Sequence, residues 1–101
     1  MISDAKILEK TGCFAIVLEK IPANLAKKVS KSLKIPVIGI GAGSNVDGQV
    51  LVLHDMLGMN TEFSPRFIRR YMNLHDEMTQ AIKKFISDVK KVDFPNNKEQ
   101  Y

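Results

Sequence analysis

Ala15-Ile-Val-Leu-Glu19-Lys-Ile-Pro22, followed one helix later by Pro36-Val-Ile-Gly-Ile-Gly-Ala-Gly43, decides the fold. Each half opens with a short apolar run without alternation, the pattern of a buried parallel strand. The first run ends on a carboxylate and a proline, the second on glycines at alternate positions. Between them Leu25, Val29 and Leu33 recur every four residues with Ala26 beside them, and lysines fill the other side. That is an amphipathic helix with one buried stripe. Pro22 opens it, where a missing N–H does no harm. Lys34-Ile-Pro36 closes it, because a residue before proline is disfavoured in helix. Strand, helix and strand over about 30 residues make a βαβ unit with parallel strands.

Working outward, Ser3 to Gly12 predicts a short helix with Ser3 as N-cap and Gly12 ending it in the left-handed conformation. Cys13 to Leu18 is the first strand, expected to be covered on both faces. Val50-Leu-Val-Leu53 is a third apolar run, read as a strand, with a buried helical turn as the alternative. Ser64-Pro65 starts a helical region running to about Val89, as one helix or as two joined near Asn73 to Asp76. Residues 1–93 read as part of a single domain and 94–101 as a polar tail. The order of elements is α/β. A full (β/α)8 barrel needs roughly 250 residues, with 200 as the lower limit. This chain of 101 residues accounts for about the last three units of one.

No apolar run approaches the ~20 residues that span a bilayer, and Met1-Ile-Ser-Asp does not read as a signal peptide. No membrane partner is expected. Cys13 is the only cysteine; it reads as a small buried hydrophobe, which suits a reducing, cytoplasmic location. The net charge is +4. Lys27, Lys28, Lys31 and Lys34 form one basic cluster, and Arg66, Arg69 and Arg70 another. Either can attract nucleic acid or an anionic cosubstrate. Without interleaved aromatics near Lys27 to Lys34, the plainer reading is a solvated helix face, and no nucleic-acid partner is expected.

Three groups are candidates for chemistry. Glu19 stands where β/α barrels build their active sites, at the C-terminal end of a strand. Partly desolvated there, a carboxylate serves well as a general base; the alternative is a carboxylate that steadies the dipole of the following helix. Gly39, Gly41 and Gly43 let the backbone approach a ligand closely, or simply turn. Gly41 and Gly43 are therefore candidate substrate-binding residues, although the spacing is not the dinucleotide fingerprint. His54-Asp55, adjacent on a strand, would point to opposite faces and form no relay. His75 reads as exposed. No histidine, cysteine or acidic residues stand at metal-ligand spacing.

Leu18-Glu-Lys-Ile-Pro-Ala-Asn-Leu-Ala26, Ile35-Pro-Val-Ile-Gly-Ile-Gly-Ala-Gly43 and Asp47-Gly-Gln-Val-Leu-Val-Leu-His-Asp55, in that order, resemble the ketopantoate hydroxymethyltransferase family. The likeness runs from Ser3 to Phe94-Pro95 and corresponds to the C-terminal two-fifths of such an enzyme. It implies a (β/α)8 barrel of the phosphoenolpyruvate mutase and isocitrate lyase superfamily, in a large homo-oligomer. It implies transfer of a hydroxymethyl group from 5,10-methylenetetrahydrofolate to 3-methyl-2-oxobutanoate, giving 2-dehydropantoate. The family's base is the glutamate of Leu-Glu-x-x-Pro, which is Glu19 here. Its Mg2+ is held by acidic residues on earlier strands outside this sequence, as are the serine and lysine that hold the keto acid. The isolated chain is thus expected to have little or no transferase activity and to need a complementing N-terminal segment. A non-catalytic remnant or assembly module is the alternative.

Overall fold

Leu18 and Val37, on neighbouring strands, anchor the architecture. The computed structural model, which describes Met1–Tyr101, orders the elements as helix α1 (Ile2–Lys10), strand β1 (Ile16–Glu19), helix α2 (Ala23–Ser32), strand β2 (Val37–Ile40), strand β3 (Gly48–Gln49), helix α3 (Leu53–Met56) and helix α4 (Leu74–Lys90). The strands form one parallel sheet in the order β1-β2-β3. The expected α/β class and βαβ unit are both present. The chain divides into two compact units, Met1–Val52 with Pro65–Ile68, and Leu53–Ser64 with Arg69–Tyr101.

In the first unit Ile16 pairs with Val37 and Leu18 with Gly39. Partners in register share a face. On that face Leu18 and Val37 pack with Ala26 and Val29 of α2, Ala5 of α1, and Ala42. Ala26, Val29 and Val37 are fully buried. The small side chain at Ala26 lets α2 sit close to the sheet, and Leu25 and Leu33 pack against the margin of the core. Lys27, Lys28, Lys31 and Lys34 are exposed, so that cluster is the solvated helix face its spacing predicts.

The opposite face of β1 is open. Val17 is 61% exposed and Glu19 is exposed. This corrects the expectation of a strand covered on both faces: α1 and α2 both contribute to the core on the Leu18 and Val37 side. The strand is also shorter than predicted, because Cys13 belongs to the end of α1. Cys13 N–H donates to the Leu8 carbonyl at 3.2 Å and Gly12 N–H to that of Glu9 at 3.1 Å, with Gly12 at φ +99°. That is the two-bond helix ending that favours glycine. The start of α1 differs as well: Met1 is the N-cap and Ser3 lies within the first turn.

Two carboxylates staple the unit, and neither stands out in the sequence. Glu9 of α1 accepts the N–H groups of Lys34 (2.6 Å) and Ile35 (3.1 Å), holding the link between α2 and β2. Asp47 accepts the N–H of Val37 at 2.8 Å and the Ser30 hydroxyl at 3.5 Å. Its own N–H returns a bond to the Val37 carbonyl at 2.9 Å.

The third strand is confined to Gly48–Gln49, paired with Ile38 and Gly39. The apolar run expected as a strand at Val50 to Leu53 contributes one further bond, Val50 N–H to the Gly39 carbonyl at 2.8 Å. It then enters α3 at Leu53.

In the second unit the helix expected from Ser64 begins only at Leu74, with Asn73 as N-cap. The apolar spacing of Phe67, Tyr71 and Leu74 mimics a helical period, but the backbone is committed elsewhere. Tyr71, Leu74 and His75 donate their N–H groups to the carbonyls of Met56, Leu57 and Gly58 at 2.8–3.0 Å. The donors of Leu74 and His75, free at the start of α4, thus meet carbonyls of the two residues that follow α3, and the last carbonyl of α3 meets the Tyr71 N–H. Gly58, at φ +68°, makes this possible, since a Cβ there would collide with the Met72 carbonyl. Arg70 holds the preceding loop by donating to Ser64 Oγ and to the Asn60 and Phe63 carbonyls. Along α4, Met78, Ile82, Phe85, Ile86 and Val89 remain largely exposed. Phe94, at the start of the polar tail, meets Phe85 edge to face at 5.6 Å.

Val37→Ala is expected to destabilise the chain by about 2–3 kcal/mol through lost burial and a residual cavity, whereas Val17→Ala should stay within about 0.5 kcal/mol. Urea denaturation of the two variants checks this; equal losses would mean that the open face is covered in solution. Asp47→Ala should cost about 1–3 kcal/mol by leaving the Val37 N–H without its acceptor, and Asp47→Asn should recover most of it, read as a thermal midpoint.

Candidate active site

Glu19 is the last residue of β1, in register with Ile40. Its position at the C-terminal end of a parallel strand is the one its sequence predicts. Lys20 N–H then makes the final bond to the neighbouring strand, donating to the Ile40 carbonyl at 2.9 Å. There the chain turns sharply. Lys20 adopts φ +51°, a left-handed conformation uncommon outside glycine, asparagine and aspartate. Pro22 follows at the N-cap of α2, and its carbonyl accepts the N–H groups of Leu25 and Ala26. The Glu19 side chain is exposed, which corrects the expectation of partial desolvation: on this side of the sheet no helix covers it.

The glycine segment lies at the matching end of β2. Gly41 has φ +63° and Gly43 φ +80°. A Cβ on Gly41 would stand 3.1 Å from Phe67 Cγ, and one on Gly43 would stand 2.5 Å from Ala23 Cβ. Gly41 is thus pressed by an aromatic ring and Gly43 by the first residue of α2. Gln49 Nε2 donates to the Gly43 carbonyl at 2.8 Å and closes the segment against β3.

Beyond Glu19 lies a hollow of about 380 Å3, whose lining includes Lys20, Pro22, Gly41, Arg66 and Phe67. Of the two glycines singled out in the sequence, Gly41 faces this hollow and Gly43 is not among its lining. Arg66 was grouped by sequence with Arg69 and Arg70 on a helix, but these residues are not helical and the three part company. Arg70 pins its loop, Arg69 stacks over the Tyr71 ring at 5.9 Å, and Arg66 joins Lys20 at the hollow. The signal for this lay in Ser64-Pro65, which marks a turn as readily as a helix start.

His54 lies on α3, not on a strand, and its side chain is exposed; His75 is exposed on α4. Neither accompanies Glu19 in the first unit. No three His, Cys, Asp or Glu side chains cluster anywhere in the chain. No helix is long and apolar enough to cross a membrane.

Comparison with known proteins gives one consistent answer. A family model described as Ketopantoate hydroxymethyltransferase matches residues 1–97. Among similar proteins, each named 3-methyl-2-oxobutanoate hydroxymethyltransferase, that of Flavobacterium johnsoniae is 70% identical over the whole of this chain. Those of Parabacteroides distasonis and Porphyromonas gingivalis are 66% and 63% identical, again over the whole chain. The chain spans 37% of the length of each of these relatives. A match across nearly every residue, with the Leu-Glu-x-x-Pro glutamate at the end of β1, means that the chain belongs to the ketopantoate hydroxymethyltransferase family.

Proposed function

We propose that this chain supplies the C-terminal part, including the general base, of a 3-methyl-2-oxobutanoate hydroxymethyltransferase. The observation that carries the reading is identity of 63–70% over all 101 residues to proteins of that name. The reaction joins the methylene carbon of 5,10-methylenetetrahydrofolate to the carbon beside the keto group of 3-methyl-2-oxobutanoate. Water supplies the hydroxyl oxygen, and 2-dehydropantoate and tetrahydrofolate are the products.

Glu19 is the base. Its carboxylate takes the proton from the carbon next to the keto group, and the resulting enolate forms the new carbon–carbon bond. Two features support this role. Glu19 ends β1, so a hydrogen-bonded strand fixes its backbone. Its face of the sheet is open, so a substrate can reach the carboxylate. Gly41, which lines the hollow beside Lys20, would meet substrate through its backbone, and Gly43 less directly. Mg2+, when bound, would stabilise the enolate oxygen; residues outside this chain would hold it.

A (β/α)8 barrel of the phosphoenolpyruvate mutase and isocitrate lyase superfamily is the architecture to which the sheet contributes. Consecutive strands lie side by side in chain order with α1 and α2 on one face, as in a singly wound barrel. A doubly wound sheet carries helices on both faces. The open face of β1 belongs on this reading to the barrel interior. Partners are the keto acid, the folate cosubstrate, and a complementing N-terminal segment within a homo-oligomer; the setting is cytoplasmic.

Co-production with the N-terminal remainder of the Flavobacterium johnsoniae relative tests the reading. The chain alone should form no 2-dehydropantoate, and the pair should restore it. Glu19→Gln in the pair should lower turnover by about 10²–10⁴-fold, the usual contribution of a positioned base. Full activity in the Glu19→Gln pair would remove Glu19 from the mechanism.

A further inference from the structure

The hollow beyond Glu19 has a chemistry of its own. Two cations, Lys20 and Arg66, line it. Neither is in an ion pair, for the two salt bridges of the chain are Met1 with Asp4 and Lys84 with Asp88. Nor does either side chain make a hydrogen bond, in contrast to Arg69 and Arg70, which are both engaged. Two like charges facing one small space repel each other and attract an anion between them. The hollow also adjoins the start of α2, whose dipole adds positive potential there.

Two further observations mark the arrangement as a built one. Lys20 holds its left-handed backbone, at φ +51°, although glycine would take it without strain; such outliers gather at ligand sites. Phe67 lies against Gly41 so closely that a methyl group at that glycine would press on the ring. The hollow therefore pairs cationic groups with an aromatic wall. A volume of about 380 Å3 falls within the range of small-molecule sites.

We propose that this hollow is the subsite for the acidic end of the folate cosubstrate. Lys20 and Arg66 bind the glutamate carboxylates, and the Phe67 ring packs against the adjoining aromatic ring of the ligand. The assignment of the anion to folate rests on the transferase reading above; the anion site itself rests on the geometry alone. Glu19, next to Lys20 in the chain, then has the cosubstrate anchored beside it.

The test is an NMR titration of the isotope-labelled 101-residue chain with tetrahydrofolate, with the matched pair folic acid and pteroic acid, which share the oxidised rings and differ only by the glutamate, and with inorganic phosphate. Tetrahydrofolate should shift the amide signals of Lys20, Gly41 and Phe67 saturably and leave α4 unmoved. Lys20→Asn, which suits the left-handed backbone, and Arg66→Gln should each weaken binding by up to about fivefold, as loss of one exposed charge contact allows. Arg66→Lys should retain most of it. Pteroic acid should bind more weakly than folic acid. Both neutral variants alter exposed positions, and circular dichroism confirms that they fold. Unchanged affinity in the double variant, equal binding of pteroic and folic acids, or no saturable shift at these residues overturns the subsite. Phosphate binding as tightly as tetrahydrofolate overturns its assignment to folate. In the co-produced enzyme, an unchanged KM for folate in the double variant also overturns the subsite. Absent turnover with binding intact counts against the transferase reading alone.

Discussion

The first unit depends on one close contact, that of Ala26 and Val29 on α2 with Val37 on β2 and Leu18 on β1. All four side chains are small or medium in size, and three of them are fully buried. Close packing of this kind tolerates little change in volume. It fixes the distance between helix and sheet, and through the register of β1 on β2 it fixes where each strand ends. Glu19, Lys20 and Gly41 all lie at those ends. Their placement is a by-product of how α2 is seated, although none of the three belongs to the core.

The seating is reinforced by hydrogen bonds that cross long stretches of chain. Glu9 reaches the link after α2, and Asp47 reaches back to the first residue of β2. Each gives a carboxylate acceptor to backbone donors that have no ladder partner. Charge-assisted bonds to backbone N–H groups are stronger than neutral ones. The two staples therefore act where the βαβ unit is otherwise weakest, at the entry to β2.

Much of this first unit was legible from residue patterns. The spacing of Leu25, Val29 and Leu33 gave α2, the two apolar runs gave β1 and β2, and Glu19 was found at its strand end. The staples were hidden, because nothing local distinguishes Glu9 or Asp47 from any exposed acid; their partners lie 25 and 10 residues away. The reading of residues 64–73 as helix failed for a related reason. Periodicity reports which side chains share a face, and it is silent on where backbone donors go. At Tyr71, Leu74 and His75 they go to the end of α3 and the two residues after it. Arg66 was misjudged with that segment, so its place beside Lys20 came only from the structure.

The joint between α3 and α4 has a consequence for how sequences of this family can drift. Its bonds run from main chain to main chain, so the side chains at positions 71, 74 and 75 take no part in it. The joint itself therefore asks nothing of those side chains, provided the backbone keeps its path. It does constrain Gly58, because any side chain would meet the Met72 carbonyl. A join of this kind leaves almost no signature: a single glycine stands guard over it, surrounded by letters that look interchangeable.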